Sequence, residues 1–245
     1  EAAVRSAPDG YTFVATPSLS VTVLPNLRKL PFDLFKDLKP VSRFTDGTLL
    51  FAVHPSIPAN TIPEFVAYAK ANPGKLKMAS TGNGSAPHVT AELFKMMTGV
   101  ETSIVHYAGG GPALKAIIAG DAQVMFEPMS ASIEPVRKGQ LRAIAVTTTT
   151  RSEALPNVPP LAETVPGYEA SATTGVAVPK GTPREVVDLL NKTMNAAYAD
   201  PAMRARFADT GGAVLAVSPE EFAKIMVGET EKWGAVVKAS GAKAE

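Results

Sequence analysis

Between residues 49 and 146 short apolar runs alternate with helix-forming stretches, and this alternation narrows the possible folds more than any other feature. Leu49-Leu50-Phe51-Ala52-Val53 is continuously apolar, as befits a strand buried on both faces. Helix is expected over 63–71, closed by Asn72-Pro73-Gly74, then strand over 76–79 and helix over about 87–97. The unit repeats as strand 103–105, a Gly109-Gly110-Gly111 loop, helix 112–119, strand 124–126, helix 133–138 and strand 141–146. Such alternation predicts an α/β protein built on mostly parallel sheets flanked by helices. Upstream, Pro8-Asp9-Gly10 is a turn and 11–15 a short strand, followed by a loop punctuated by Pro17, Pro25, Pro31 and Pro40. Downstream, 147–182 is rich in Pro and Thr with one short strand near 174–178, and helices are expected at 184–199, 201–210 and 219–240. The last helix sets Phe222, Ile225, Met226, Trp233, Val236 and Val237 on one stripe, the spacing of a packed face.

The helix starts fall into two kinds. Thr61-Ile62-Pro63-Glu64, Thr182-Pro183-Arg184-Glu185 and Ser218-Pro219-Glu220-Glu221 read as capping boxes, in which the acid satisfies a backbone N–H and neutralises the helix dipole. Ser85-Ala86-Pro87-His88 and Gly110-Gly111-Pro112-Ala113 lack that acid. Both follow a strand, and both loops are rich in glycine, so a ligand can approach the backbone closely. In an open α/β sheet these loops lie at the carboxyl ends of strands, where ligands bind. An uncapped helix start favours an anion. The expectation is a cleft for a small carboxylate, seated on the amide groups of the 84–88 stretch with help from the Ser80, Thr81 and Ser85 hydroxyls. Each loop, taken singly, also reads as a plain solvated turn.

Other chemistries find less support. Gly82-Asn83-Gly84 has no third glycine and no Gly-Lys-Ser/Thr after it, so it does not match a phosphate loop. In Asn83-Gly84-Ser85-Ala86-Pro87, a proline stands where a nucleophile elbow needs its second glycine. A hydrolase or lyase acting through Ser85 or Glu127 remains the rival reading. Glu127, at a strand end, reads equally as a general base, an acceptor for a ligand ammonium or hydroxyl, or a solvated acid. His54, His88 and His106 have no metal-type spacing, and a lone histidine is more often structural. With no Cys there is no disulfide framework or thiolate chemistry, and zinc is disfavoured. A net charge of +1, with Lys and Arg dispersed, leaves no footprint for nucleic acid. No apolar run reaches membrane-spanning length. The opening Glu1-Ala2-Ala3-Val4, without Met and reading as mid-helix, predicts preceding sequence that includes any export signal.

Pro8-Asp9-Gly10-Tyr11-Thr12, Ala69-Lys70-Ala71-Asn72-Pro73-Gly74-Lys75-Leu76, Gly84-Ser85 with His88, Glu92-Leu93-Phe94, Gly139 with Leu141-Arg142-Ala143, Arg151-Ser152 with Ala154-Leu155-Pro156, and Lys232-Trp233 together resemble the Bug or TctC-type solute-binding proteins. These serve tripartite tricarboxylate transporters of Gram-negative bacteria, and the resemblance covers essentially the whole chain. It implies a periplasmic protein of the two-lobed Venus-flytrap (type II-like) kind, and the chain is expected to be a non-enzymatic monomer without cofactor or metal. Its ligand would be a di- or tricarboxylate, acidic amino acid or aromatic acid, and its partners the membrane subunits of the transporter. A periplasmic ligand-sensing module is a further reading. The resemblance implies one lobe of residues 1–48 with 170–245 and another of 49–169. It also implies that a strand, a Pro-Gly-Gly loop and a helix precede Pro8-Asp9-Gly10 in relatives.

Carried over by residue, the loop with Ser80, Thr81, Gly82, Asn83, Gly84, Ser85 and His88 resembles the family's carboxylate loop. Thr16 and Ser18 fall at its cleft-facing position in the other lobe. Val105-His106-Tyr107-Ala108-Gly109 matches a Val-Pro-Tyr-Lys-Gly pattern at Tyr107 and Gly109, with Ala108 in place of the Lys and His106 in place of the Pro. Glu127 stands where many relatives have Asp.

Overall fold

The computed structural model describes residues 1–27 and 29–240, without the side chains of Ser18, Ser20, Phe44 and Asp46. The elements run β1 (Val14–Pro17), α1 (Ser18–Leu27), α2 (Leu34–Asp37), β2 (Leu38–Val53), α3 (Ile62–Ala71), β3 (Lys77–Ser80), α4 (Ala86–Thr98), β4 (Ser103–His106), α5 (Gly110–Ala119), β5 (Val124–Pro128), α6 (Met129–Arg137), β6 (Arg142–Val146), β7 (Ser171–Pro179), α7 (Arg184–Tyr198), α8 (Pro201–Asp209), β8 (Gly212–Ala213) and α9 (Pro219–Ser240).

The 16-residue strand β2 organises the molecule. Its first part, Leu38 to Thr48, pairs with β7, and through Asp46 and Gly47 with β8. Its second part, Leu49 to Val53, lies between β5 and β6. The change of partners falls between Thr48 and Leu49. There Thr147 and Leu49 are tied by Thr147 N–H to Leu49 O at 3.0 Å and Leu49 N–H to Thr147 Oγ1 at 3.2 Å. Beyond β5 come β3 and β4, while β1 pairs on the outer side of β7.

Two features differ from the sequence expectation. Parallel pairing, expected across most of the sheet, is confined to β3 with β4 and β5. Every pairing of β2, and that of β1 with β7, is antiparallel. Parallel neighbours need a crossover element between them, and α4 and α5 supply it only in that part of the chain. The stretch read as a proline-punctuated loop instead holds α1, with Pro25 inside it, and the first half of β2. The strand read at 11–15 forms slightly later, as β1.

The largest core lies on one face of the β5 half. Phe51 packs edge-to-face against Phe65 and Phe126 and tilted against Phe94, with centroids 4.9, 4.9 and 5.0 Å apart. Tyr168 joins them and donates its hydroxyl to the Thr90 carbonyl at 3.0 Å. The predicted stripe of α9 is buried at Phe222, Met226, Trp233, Val236 and Val237, and Trp233 enters this same core. The opposite face packs Leu50, Ala52, Met125 and Val146 beneath α5 and α6.

Candidate functional site

Strand directions decide which loops meet. Pro17, the end of β1, pairs with Thr174, and Thr174 pairs with Thr45 of β2. Pro128, the end of β5, pairs with Leu49, and Val146, the end of β6, pairs with Leu50. Carboxyl ends from both halves of the sheet thus point at the middle of β2 from opposite sides. The ends of β3 and β4 lie with that of β5, because those strands are parallel to it.

The helices that start at this midline are α1, α4, α5 and α6, and none carries an acid in its first turn. Helices α3 and α7 start at the far ends of β2 and β7, and their first turns carry Glu64 and Glu185. At α3 the box forms nearly as predicted: Thr61 Oγ1 accepts from Glu64 N–H at 3.3 Å, and Glu64 takes the neighbouring Asn60 N–H at 2.7 Å. The Ser218 and Glu221 pair closes reciprocally at α9. Helix α8 also lacks a first-turn acid, but Asp200 caps it by accepting from the Ala202 and Met203 N–H groups. Among the described residues the uncapped, acid-free starts therefore gather at the midline, and an anion is favoured there.

The start of α4 is more closed than its sequence suggests. His88 accepts the Gly84 N–H on Nδ1 at 2.9 Å, so the imidazole does a capping acid's work one residue before the cap. This bond leaves the proton of the neutral ring on Nε2, 4.0 Å from Glu92. Burial, then the neighbouring His106, lowers the His88 pKa and keeps the ring neutral. The Ser85 N–H goes to Gly82 O and the Gly82 N–H to Ser80 Oγ. With Pro87 lacking a donor, fewer amides are available in the 84–88 stretch than expected. Gly84 is buried at φ +72°, and a Cβ there would stand 2.4 Å from Leu27 Cδ1 of α1.

Ser80 is the hub of this loop. It is fully buried, and its Oγ lies 3.2 Å from Ser85 Oγ and 3.1 Å from His106 Nδ1. Thr81, Gly82, Asn83 and Ser85 are half-buried at the surface of the same turn. The Tyr107 N–H donates to Ser80 O at 2.9 Å and fastens this loop to the next one.

The start of α5 is open. Gly109, at φ +102°, is the cap residue and has no side chain to cap with. Gly110 and Gly111 are exposed, and the first bond back along the helix is Ala113 N–H to Gly109 O. Ala108 is exposed and Tyr107 half-buried at its rim. Beneath the turn lies Glu127, 3% accessible, with Oε1 3.9 Å from where a Cβ on Gly110 would stand. Burial pushes its pKa up to about 7.

From the other half of the sheet, Thr16 is buried at the end of β1, and its Oγ1 is without a hydrogen bond among the described residues. Ser18 opens α1, and its side chain lies outside the described residues. Sequence reasoning missed the α6 start, because it began that helix at residue 133 rather than Met129. The signal was present in Pro128-Met129-Ser130-Ala131-Ser132, a proline cap followed by small residues with no acid before Glu134.

A cavity of about 630 Å³ opens at the other flank of the midline, lined by Thr48, Thr150, Arg151, Glu169, Arg204 and Leu215. Two of its charges are paired within the protein, Arg151 with Glu163 and Glu169 with Lys232, and Arg204 donates to the Tyr198 carbonyl at 2.9 Å. No acid-free helix start enters it. Ser85 lacks the base that a hydrolase nucleophile needs: it bonds to Ser80 rather than to a histidine, and His88 Nδ1 is occupied. Among the described residues no cluster suited to a metal occurs, and no helix is long and apolar enough to cross a membrane.

Comparison with known proteins shows the family and the fold. The family model described as tripartite tricarboxylate transporter family receptor matches residues 1–242. Protein BugT of Bordetella pertussis is 32% identical over 249 residues, spanning 99% of this chain and 76% of that protein. A solved structure of a periplasmic transporter superposes with a TM-score of 0.90 at 34% identity, covering 99% of this chain and 82% of that one. The R. palustris protein Rpa4515, solved with adipate, superposes with a TM-score of 0.88 at 30% identity over the same shares. The fold is the two-lobed α/β fold of periplasmic binding proteins, which are receptors and not enzymes. The chain belongs to the tripartite tricarboxylate transporter receptor family.

Proposed function

We propose that this chain captures a small carboxylate in the periplasm, at the midline of β2, and delivers it to the membrane subunits of a tripartite tricarboxylate-type transporter. The observation that carries the reading is the segregation of helix starts, with no acid in the first turn at the midline and an acid in the first turn at the far ends of the sheet. Rpa4515 was solved with adipate, and its likeness to this chain favours a dicarboxylate. The Gly110 and Gly111 amides take one carboxylate, with Ser80, Thr81, Asn83, Ser85, Tyr107, Ala108 and Gly109 around it and Thr16 and Ser18 facing it. Residues 1–48 with 170–245 form one lobe and 49–169 the other, and the lobes close about the Thr48–Leu49 junction and the Ala170 N–H bond to Thr147 O at 3.0 Å. Closure removes the anion from water and strengthens its charge-assisted hydrogen bonds.

A pair of substitutions at one position tests this. Gly111 has an ordinary φ and nothing within 4 Å of a Cβ, so a side chain fits there. Gly111→Glu places a fixed negative charge in the first turn of α5, while Gly111→Gln places the same bulk without charge. A thermal-shift screen of carboxylates, adipate included, should give a stabilised wild type and Gly111→Gln protein. Gly111→Glu should lose binding at least tenfold while folding equally well. Equal binding by both variants, or a silent screen of the wild type, overturns the reading.

A further inference from the structure

Glu127 sits where a negative charge is least welcome. Oε2 has no hydrogen-bond partner among the described residues, and the carboxyl lies on the apolar sheet face with Leu50, Ala79 and Met125. Oε1 reaches the underside of the Gly109-Gly110-Gly111 turn. An anion seated on the outward amides of that turn would come within a few ångströms of this carboxyl in a water-poor setting. Two like charges so placed do not both persist, and one of them takes a proton.

We propose that carboxylate capture is proton-linked through Glu127: seating the ligand on the α5 amides draws one proton from solvent onto the Glu127 carboxyl, which then stands as a neutral donor beside the bound anion. This rests on the carboxylate reading above. No covalent bond changes, and the proton returns to solvent on release. Burial alone already holds the group near half-protonation at pH 7. The neighbouring elements bring His106 on β4, His88 on α4, Lys115 on α5, and Glu134 with Arg137 on α6. His88 is held neutral, and Arg137 and Glu134 pair with each other at 3.1 Å. Lys115 and His106 are exposed.

Titration calorimetry with adipate and succinate, in two buffers of different ionisation enthalpy, counts the proton directly. Both acids are doubly ionised above pH 6.5. Wild type should take up about 0.9 proton per ligand at pH 8 and about 0.2 at pH 6.5, where Glu127 is already mostly protonated. Its affinity should weaken toward tenfold per pH unit above 7. Glu127→Gln should bind with no uptake and a flat pH profile, and His106→Gln should keep the uptake. Binding by wild type with no proton taken up overturns the proposal and leaves the carboxylate reading intact. Uptake that persists in Glu127→Gln overturns it as well. Failure of wild type to bind either acid, with the wider screen also silent, removes both.

Discussion

His88 and Glu127 are buried titratable side chains with opposite habits. His88 is neutral and satisfied, and its value is mechanical, since it fixes the Gly84 amide and thereby the turn. Replacing it with Ala orphans that buried N–H and leaves a void, at a cost of about 2–3 kcal/mol. His88→Gln keeps an acceptor at the third helical position and should recover most of the loss. Chemical denaturation of the two variants checks the contrast, and equal midpoints would show that the bond to Gly84 matters little. Glu127 is unsatisfied, and its folded pKa of about 7 lies above the unfolded value near 4.5. A raised pKa means that the folded state holds the proton more tightly. The associated stability is complete below pH 4.5 and is lost as pH climbs through 7. Unfolding free energy should therefore fall by about 3 kcal/mol across that window and then level off. Glu127→Gln should remove this slope, and denaturation series at pH 5 and pH 8 report it.

Among the elements, those whose local pattern agrees with their packing were legible. Helix α4 was expected over about 87–97 and forms as Ala86–Thr98, and β4 and α9 match as closely. Helix α1 was hidden because Pro25 marks a break by propensity, whereas here it sits in a helix seated on α9 and β7. The first half of β2 was hidden because its polar residues and Pro40 find their reason only in pairing with β7. At the site, two of the four acid-free starts were read, and one of those was misjudged. The Gly84–His88 bond depends on a backbone turn that residue spacing does not display. The Thr182 box failed for a related reason. Helix α7 takes Pro183 as its cap, so Thr182 stands one residue outside, and its Oγ1 is buried without a hydrogen bond among the described residues. Thr182→Val keeps the shape and removes an unsatisfied hydroxyl, so it should stabilise by about 1 kcal/mol. A loss of stability would mean that the hydroxyl has a role in the folded protein.

In the whole molecule, β2 is a continuous strand shared by both halves of the sheet, so the proposed closure requires flexing near Thr48 and Leu49. They also touch away from that crossing. Leu27 and Val23 of α1 cover Gly84, and Met129 at the start of α6 covers Gly211, close enough that a Cβ on either glycine would collide. These contacts hold the last turns of α1 against the turn that precedes α4, and an arrangement in which they part must expose Leu27. Leu27→Ser weakens the joined arrangement by removing about 1–2 kcal/mol of apolar burial, without touching an amide that holds the anion. The ligand then meets a smaller competent population, and its affinity should fall by about 5–30-fold. Small-angle scattering of the free variant should show a larger radius of gyration, returning toward the wild-type value at saturating adipate. Because the site itself is unchanged, the dependence of binding on pH should be unaltered. Wild-type affinity with unchanged scattering would show that Leu27 packs within one rigid body and that the moving boundary lies elsewhere.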